Sequence, residues 1–118
     1  MKYLMAAVLA GAVPLAGAAQ DWALRSGDTV LSRAEMQAEL VVQDIVFYDN
    51  GRSQFGAGGA YAYTYDQGGT AFGQYTLRDD GVICIAYRNG FGRCDKYVRN
   101  GGRLVVITED GDRFPVRP

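Results

Sequence analysis

Histidine is absent from this 118-residue sequence, and cysteine occurs only twice. Because histidine is the usual acid–base side chain near neutral pH, its absence excludes serine–histidine and cysteine–histidine catalytic pairs. It also excludes zinc sites that need imidazole, and two cysteines alone do not complete such a site. We therefore expect no metal site, no cofactor and no enzymatic activity. If the protein were an enzyme, its catalytic groups would have to be carboxylates.

Clusters of positive charge are lacking as well. The chain has 12 Lys and Arg residues against 13 Asp and Glu residues, a net charge of −1, and the two signs are interspersed. Nucleic-acid binding depends on a concentrated positive field along the phosphate backbone. We therefore expect no nucleic-acid partner.

Long apolar runs are confined to the amino terminus. A basic start at Lys2 is followed by an apolar run, residues 3–13, and by small residues that end at Ala19. This order is typical of a secretory signal peptide, and the run is shorter than the roughly 20 residues that span a bilayer. The alternative, an interfacial or buried helix, requires a polar face that the run lacks. We expect cleavage of residues 1–19 and a single β domain, residues 20–118, that is periplasmic or secreted and has no membrane span.

The two cysteines lie in a stretch, residues 82–98, that predicts a β-hairpin. Asn89 and Gly90 tolerate the positive φ of a tight turn, and the flanking residues are rich in β-branched and aromatic side chains. With the turn centred near Asn89, Cys84 faces Cys94 across two antiparallel strands, at a separation that a disulfide spans. A disulfide fits the oxidising compartment that export implies.

One helix is expected before the strands begin. Ser32 and Glu35 form the S-x-x-E pattern of a capping box, and the residues that follow are good helix formers, which predicts a helix over residues 33–40. Turn signals then recur at short spacings, as in an antiparallel meander. We expect eight strands, near residues 41–48, 52–56, 60–66, 70–78, 82–88, 92–99, 103–108 and 112–116. The predicted fold class is mainly β, a small antiparallel up-and-down barrel or curled meander with one short N-terminal helix and one hairpin disulfide.

One face of the cysteine hairpin mixes apolar and charged side chains. The expected register places Ile83 and Ile85 on the same side as Arg93 and Asp95. Either a bulge shifts one strand, or Arg93 and Asp95 lie at the mouth of a barrel. The sequence leaves both possibilities open.

Tyrosine and arginine form the best candidate for a binding surface. Tyrosine offers a large, stiff, amphipathic body, and arginine offers a planar fork of donors. Tyr61, Tyr63 and Tyr65 share one face of a predicted strand, because strand side chains alternate between faces. The candidate ligand-binding residues are Tyr61, Tyr63, Tyr65, Tyr75, Arg88 and Arg93. The alternative is that the tyrosines fill the barrel or cover its wall. Trp22, the sole tryptophan, is expected to close one end of the core, with ligand contact as the alternative.

Clustered carboxylates are the remaining candidates for chemistry. Asp79-Asp80 and the acidic residues of 109–112 fall in predicted turns, where aspartate suits the local hydrogen bonding. A calcium site at the second cluster is conceivable, but its spacing lacks the glycine and the terminal glutamate of a known calcium loop. A hydrolase that uses two carboxylates needs an acid pair that faces a groove.

Motifs in the second half of the chain resemble a pattern in small exported bacterial proteins of unknown function. The pattern consists of a Gly-x-aromatic strand, a D-G turn, two cysteines about ten residues apart and a closing D-G hairpin. It is carried by Gly73-Gln74-Tyr75-Thr76-Leu77, Asp80-Gly81-Val82-Ile83-Cys84, Arg93-Cys94-Asp95-Lys96-Tyr97 and Asp110-Gly111. The resemblance covers residues 48–114 and implies a small calycin-like barrel, with no assigned activity.

Two other groups share single features with the chain. The chain is similar to periplasmic inhibitors of C-type lysozyme in size, export, disulfide and eight-stranded barrel. Their S-G-x-x-Y loop is not found, because Ser26-Gly27 leads to Asp28-Thr29-Val30. The MORN repeat resembles Tyr48-Asp49-Asn50-Gly51 and Phe72-Gly73-Gln74-Tyr75, but the period does not continue into the cysteine hairpin, and a solenoid needs at least about three units.

The function expected from the sequence is binding. We expect an exported, non-enzymatic small β-barrel that binds a protein or a small ligand in the periplasm. Two alternatives stay open: a carboxylate-dependent cell-wall or glycan hydrolase, and a structural or envelope-stress protein.

Overall fold

The computed structural model describes residues 22–118 as a mainly β fold, and the expected signal peptide, residues 1–19, lies outside the described residues. Glycine-rich turns separate the strands, and one capped helix precedes them. The elements in chain order are β1 Thr29–Val30, α1 Arg33–Leu40, β2 Asp44–Val46, β3 Arg52–Phe55, β4 Ala60–Thr64, β5 Thr70–Leu77, β6 Val82–Tyr87, β7 Gly92–Asn100, β8 Arg103–Thr108 and β9 Arg113–Pro115.

The strands β2 to β9 form one antiparallel meander in which each strand pairs with the next one along the chain. The sheet curls into a half-barrel. A single antiparallel bridge, Phe47 with Val116, links the segments that follow the first and last strands of the meander. Strand β1 pairs with β7, where Val30 lies opposite Val98.

The helix forms as its sequence predicts. The Ser32 side chain accepts a hydrogen bond from the Glu35 backbone N–H, and the Glu35 carboxylate accepts one from the Ser32 backbone N–H. These reciprocal bonds satisfy two free amides of the first turn. Met36 and Leu40 are fully buried, so the helix covers part of the core.

The predicted strands are present, and the first of the eight is shorter than expected. The sequence predicts a strand over residues 41–48, but regular pairing covers only Asp44–Val46. Val42 has a φ of 59°, an unusual value for a β-branched residue, and its backbone N–H donates to the Phe55 carbonyl. The chain therefore turns sharply between the helix and β2 and cannot extend there as a strand.

The cysteine hairpin has the predicted register and the predicted disulfide. Cys84 lies opposite Cys94, and the two are bonded. Ile83 lies opposite Asp95 without a bulge, so apolar and charged residues do share one face. The first possibility, a bulge, is therefore excluded, and Arg93 and Asp95 line a cavity of the half-barrel.

Most of the core lies on one face of the sheet, which we call the inner face. Its buried residues include Phe55, Tyr61, Ile83, Ile85, Tyr97 and Val106, together with Met36 and Leu40 of the helix. The opposite, outer face carries a second small cluster, formed by Val98, Val105 and Ile107, with Trp22 and Val30 packed against it. The segment of residues 22–30, the N-terminal arm, thus covers part of the outer face.

Candidate ligand-binding cavity

A cavity of about 190 Å³ opens on the inner face of the half-barrel. An engineered cavity of roughly 150 Å³ in another protein holds benzene, so this one accommodates a single side chain or a small molecule. Its lining combines an aromatic and aliphatic wall with several hydrogen-bonding groups. The lining residues are Phe47, Asp49, Ser53, Tyr63, Arg93, Asp95, Tyr97, Val106, Thr108 and Phe114.

An ion pair between Arg93 and Asp95 forms the charged part of this cavity. The Arg93 Nε–H donates to Asp95 Oδ2 at 3.1 Å. Asp95 is only 5% exposed, whereas the Arg93 side chain is 42% exposed. Burial raises the pKa of Asp95, and the nearby Arg93 guanidinium partly offsets this effect. The pair therefore holds a desolvated carboxylate beside a cation that reaches solvent.

The Tyr61 hydroxyl extends this polar network into the core. It lies 2.8 Å from Ser53 Oγ and accepts a hydrogen bond from Arg93 Nη2 at 3.4 Å. Tyr61 and Ser53 are each 2% exposed. Burial raises the pKa of Tyr61 well above its ordinary value, so the hydroxyl stays protonated. Tyr61 thus holds Arg93 through its hydroxyl, while its ring belongs to the core.

Tyr63 is half-buried and lines the cavity wall. Its ring packs edge-on against Tyr65 at 5.0 Å between centroids. A methyl group at Gly51 would lie 2.0 Å from the Tyr63 hydroxyl oxygen. Because Gly51 has no side chain, the Tyr63 hydroxyl fits beside the Asn50-Gly51 turn.

The structure brings together only part of the binding surface predicted from the sequence. Tyr63 and Arg93 line the cavity, and the Tyr61 hydroxyl contacts Arg93. Tyr65 does not line it, is 52% exposed and packs against Tyr63. The exposure of the three tyrosines therefore increases along the chain, from buried Tyr61 through half-buried Tyr63 to exposed Tyr65. The core-filling interpretation is correct for Tyr61, and the binding role of the tyrosines stays a prediction.

Tyr75 and Arg88 lie away from the cavity. The Tyr75 ring packs edge-on against Phe55, and its hydroxyl donates to the Gly56 carbonyl. The Arg88 guanidinium lies over the Phe72 ring, at 5.0 Å, and Phe72 is 48% exposed. Tyr75 thus packs against a core aromatic ring, while Arg88 extends over the outer face.

Sequence reasoning overlooked several residues that line the cavity. Ser53 was not singled out, and Asp95 was placed on the inner side of the hairpin but left out of the candidate ligand-binding residues. Both are polar residues at positions where strand alternation points inward, and that break in the apolar pattern is the signal that identifies them. Asp49 follows β2 in a turn, and its Oδ1 accepts a hydrogen bond from the Gly51 backbone N–H. Phe114 reaches the cavity from β9, a strand distant in sequence.

The acidic turns hold no cluster suited to a metal. Among residues 22–118, no group of three or more His, Cys, Asp or Glu side chains is arranged to hold an ion. Glu109, in one of these turns, accepts a hydrogen bond from the Cys94 backbone N–H at 3.3 Å. That contact supports the hairpin.

Comparison of the chain with protein-family models, with curated proteins and with solved structures found no match. The resemblances drawn from the motifs therefore remain expectations. Within the described part of the chain, no helix has the length and apolar character needed to cross a membrane.

Proposed function

We propose that this protein is an exported, non-enzymatic binding protein whose inner-face cavity takes up one amphipathic group. The group is a side chain of a partner protein or a small ligand in the periplasm. Its apolar part packs on Phe47 and Phe114, and its polar end meets Arg93 and Asp95. The mixed apolar and polar lining of the cavity supports this assignment, and its volume of about 190 Å³ limits the occupant to one small group.

The observation that carries the proposal is the buried carboxylate of Asp95. Removing a carboxylate from water costs several kcal/mol, and replacing a buried ion pair by apolar residues is often neutral or stabilising. Arg93 only partly compensates Asp95, because burial still raises the pKa of that carboxyl. A pair that stability does not require, placed in a cavity, is typical of a functional site.

The test compares the wild type with a variant that removes both charges at once, Arg93→Met with Asp95→Leu. Because both partners leave together, no unpaired charge stays buried and the fold is expected to persist. The proteins are incubated with periplasmic extract and recovered, and the retained proteins and small molecules are identified by mass spectrometry. Arg88→Met is the matched control, since it removes an arginine that lies outside the cavity.

We expect the wild type and Arg88→Met to retain the same species and the double variant to lose it. Retention by all three proteins, or by the double variant alone, would contradict the proposal. A wild type that retains nothing would also contradict it and would favour the structural or envelope-stress role.

A second candidate function is the carboxylate-dependent hydrolase. The specific observation in its favour is that Asp49 and Asp95 line the same cavity, as an acid pair would. The raised pKa of Asp95 suits a general acid. This function predicts that Asp95→Asn and Asp49→Asn each abolish the release of soluble fragments from cell-wall or glycan polymers. Wild-type protein that releases no fragments from these polymers would exclude it.

A further inference from the structure

A second cavity, of about 580 Å³, lies on the outer face beside the disulfide. We infer that it is an oxyanion-binding site centred on Lys96, which takes a phosphate or carboxylate group. Lys96 and Trp22 both line it, together with Arg78 and Cys94. Because Lys96 and Asp95 are neighbours on one strand, they face opposite sides of the sheet, and this site is separate from the inner cavity.

Lys96 is the residue that points to a ligand. It is only 7% exposed, yet it forms no ion pair and no hydrogen bond through its ammonium group within the described part of the chain. The contact present is with Trp22, whose ring centroid lies 6.0 Å from Lys96 Nζ. Covering a lysine side chain almost completely is costly unless a counter-charge offsets the hydration that is lost. An oxyanion in the adjoining cavity supplies that counter-charge.

The other charges around the cavity favour the same ligand. Arg78 Nη1 contacts Cys84 Sγ at 3.7 Å and has no carboxylate partner among the described residues. Arg33 donates to the Leu77 carbonyl at 2.8 Å and lies 3.8 Å from Asp79. Arg78 is therefore available to a ligand.

Two carboxylates also line the cavity and oppose an anion. Asp79 and Asp80 lie in the turn between β5 and β6, and both are exposed. The Asp79 side chain is 88% exposed and is paired with Arg33. Solvent and salt screen such surface charges, whereas the charge on buried Lys96 is screened much less. Of the charged side chains that line the cavity, Lys96 is therefore the one whose charge solvent screens least.

The size of the site limits the kind of ligand. A volume of 580 Å³ lies in the range of small-molecule pockets, about 300–1,000 Å³, and exceeds what a free inorganic ion fills. The oxyanion is therefore carried by a larger molecule, such as a phosphate ester or a carboxylic acid. Inorganic phosphate and acetate each reproduce the anionic part of one of these classes.

Trp22 makes the inference directly measurable. It is the sole tryptophan of the chain and lies beside Lys96. Its fluorescence is followed while the purified protein is titrated with sodium phosphate or sodium acetate, against sodium chloride at equal ionic strength. The variants are Lys96→Met, which keeps an unbranched side chain, and Arg88→Met, which removes a different cation held over an aromatic ring.

We expect a saturable change of Trp22 fluorescence with phosphate or acetate, and none with chloride beyond the ionic-strength effect. Stronger binding of phosphate assigns the site to phosphate esters, and binding of acetate that is equal or stronger assigns it to carboxylic acids. Lys96→Met is expected to weaken the binding at least about tenfold, since it removes a charge-assisted contact, whereas Arg88→Met leaves it unchanged. Circular dichroism confirms that both variants fold.

Absence of a saturable change with either anion in the wild type would overturn the inference, as would equal affinities of wild type and Lys96→Met. If Lys96→Met does not fold, NMR of the isotope-labelled wild type replaces it. Anion-induced shifts are then expected at the amides of Val82 and Cys94. Shifts elsewhere, or none, would overturn the inference.

Discussion

Asp28 and Arg113 form a two-pronged ion pair that ties the N-terminal arm to the last strand. Arg113 Nη1 donates to Asp28 Oδ2 at 2.9 Å, and Arg113 Nη2 donates to Asp28 Oδ1 at 2.8 Å. The two side chains are 1% and 11% exposed. Asn100 Nδ2 adds a third bond to Asp28 Oδ1, at 2.8 Å. The Arg25 backbone N–H donates to Asp28 Oδ2 at 2.7 Å. The carboxylate is thus held by four bonds, three from side chains of β7 and β9 and one from the arm itself.

Asp28→Asn is expected to lower the free energy of unfolding by about 3 kcal/mol, because it leaves the buried Arg113 guanidinium without a counter-charge. Denaturant unfolding measures this change. Asp44→Asn is the control, since it breaks the exposed pair of Asp44 with Arg52 and should cost less than about 1 kcal/mol. Equal losses in the two variants would contradict the role given to the buried pair.

The same ion pair predicts how stability depends on pH. Hydrogen bonds from Arg113 hold the pKa of Asp28 well below its usual range. The contribution of Asp28 to stability is therefore complete above the pKa of an unfolded aspartate, about 3.9, and is lost as the pH falls towards the lower pKa in the fold. Unfolding measured from neutral to acidic pH should show a steeper loss in the wild type than in Asp28→Asn. Parallel curves would contradict this.

Replacing Arg93 and replacing Asp95 should change the free energy of unfolding by different amounts. Arg93→Met leaves the Asp95 carboxylate buried without a partner and should lower the free energy of unfolding by about 3 kcal/mol at neutral pH. Asp95→Asn leaves Arg93 in contact with solvent and removes a carboxylate whose pKa burial has raised. Its stability at neutral pH should be equal to or higher than that of the wild type.

The pH dependence of Asp95 has the opposite sign to that of Asp28. Because the pKa of Asp95 is raised in the fold, its favourable contribution is present below the pKa of an unfolded aspartate and is lost as the pH rises through the raised value. The advantage of Asp95→Asn over the wild type should therefore grow with pH in that range. An advantage that is constant with pH would contradict the assignment.

Reduction of the Cys84–Cys94 disulfide should destabilise the fold without affecting the inner cavity. The bond closes a loop with a sequence separation of 10, for which chain entropy gives about 3 kcal/mol. Cys84 and Cys94 are on the outer face, opposite the inner cavity. The oxidised and reduced proteins are compared by denaturant unfolding and by retention of the bound species. Equal stability, or loss of that species while the reduced protein remains folded, would contradict this.

Gly73, in β5, is predicted not to tolerate a side chain. A methyl group there would lie 2.4 Å from the Ala86 carbonyl oxygen, a backbone atom that cannot move aside. Gly73→Ala should lower the free energy of unfolding by about 2 kcal/mol or more. Gly58→Ala is the control, because nothing lies within 4 Å of its added methyl group, and a change below about 1 kcal/mol is expected. Equal effects would contradict the steric argument.

Local signals in the sequence predicted much of the fold. The pairing of Cys84 with Cys94 followed from one turn at Asn89-Gly90, because a tight turn fixes the register of its hairpin. The helix followed from the reciprocal bonding of Ser32 and Glu35, which depends on residues three positions apart. Both inferences needed only short stretches of chain.

The cavity was harder to predict, because it depends on how the whole sheet curls. Tyr63 and Phe114 meet at one cavity although 51 positions separate them, and no local pattern encodes that contact. Arg88 was expected near the tyrosines if the barrel closed. The sheet forms a half-barrel, and the Arg88 guanidinium lies over the Phe72 ring. The sharp turn at Val42 was not predicted, because the β-branched residues around it favour a strand.

The inner cavity as a binding surface is tested most directly by NMR of the isotope-labelled protein, before and after exposure to periplasmic extract. We predict amide shifts concentrated at Ser53, Tyr63, Asp95 and Thr108, and we predict that Arg93→Met with Asp95→Leu abolishes them. Shifts that avoid these residues, or a spectrum that the extract leaves unchanged, would contradict the account.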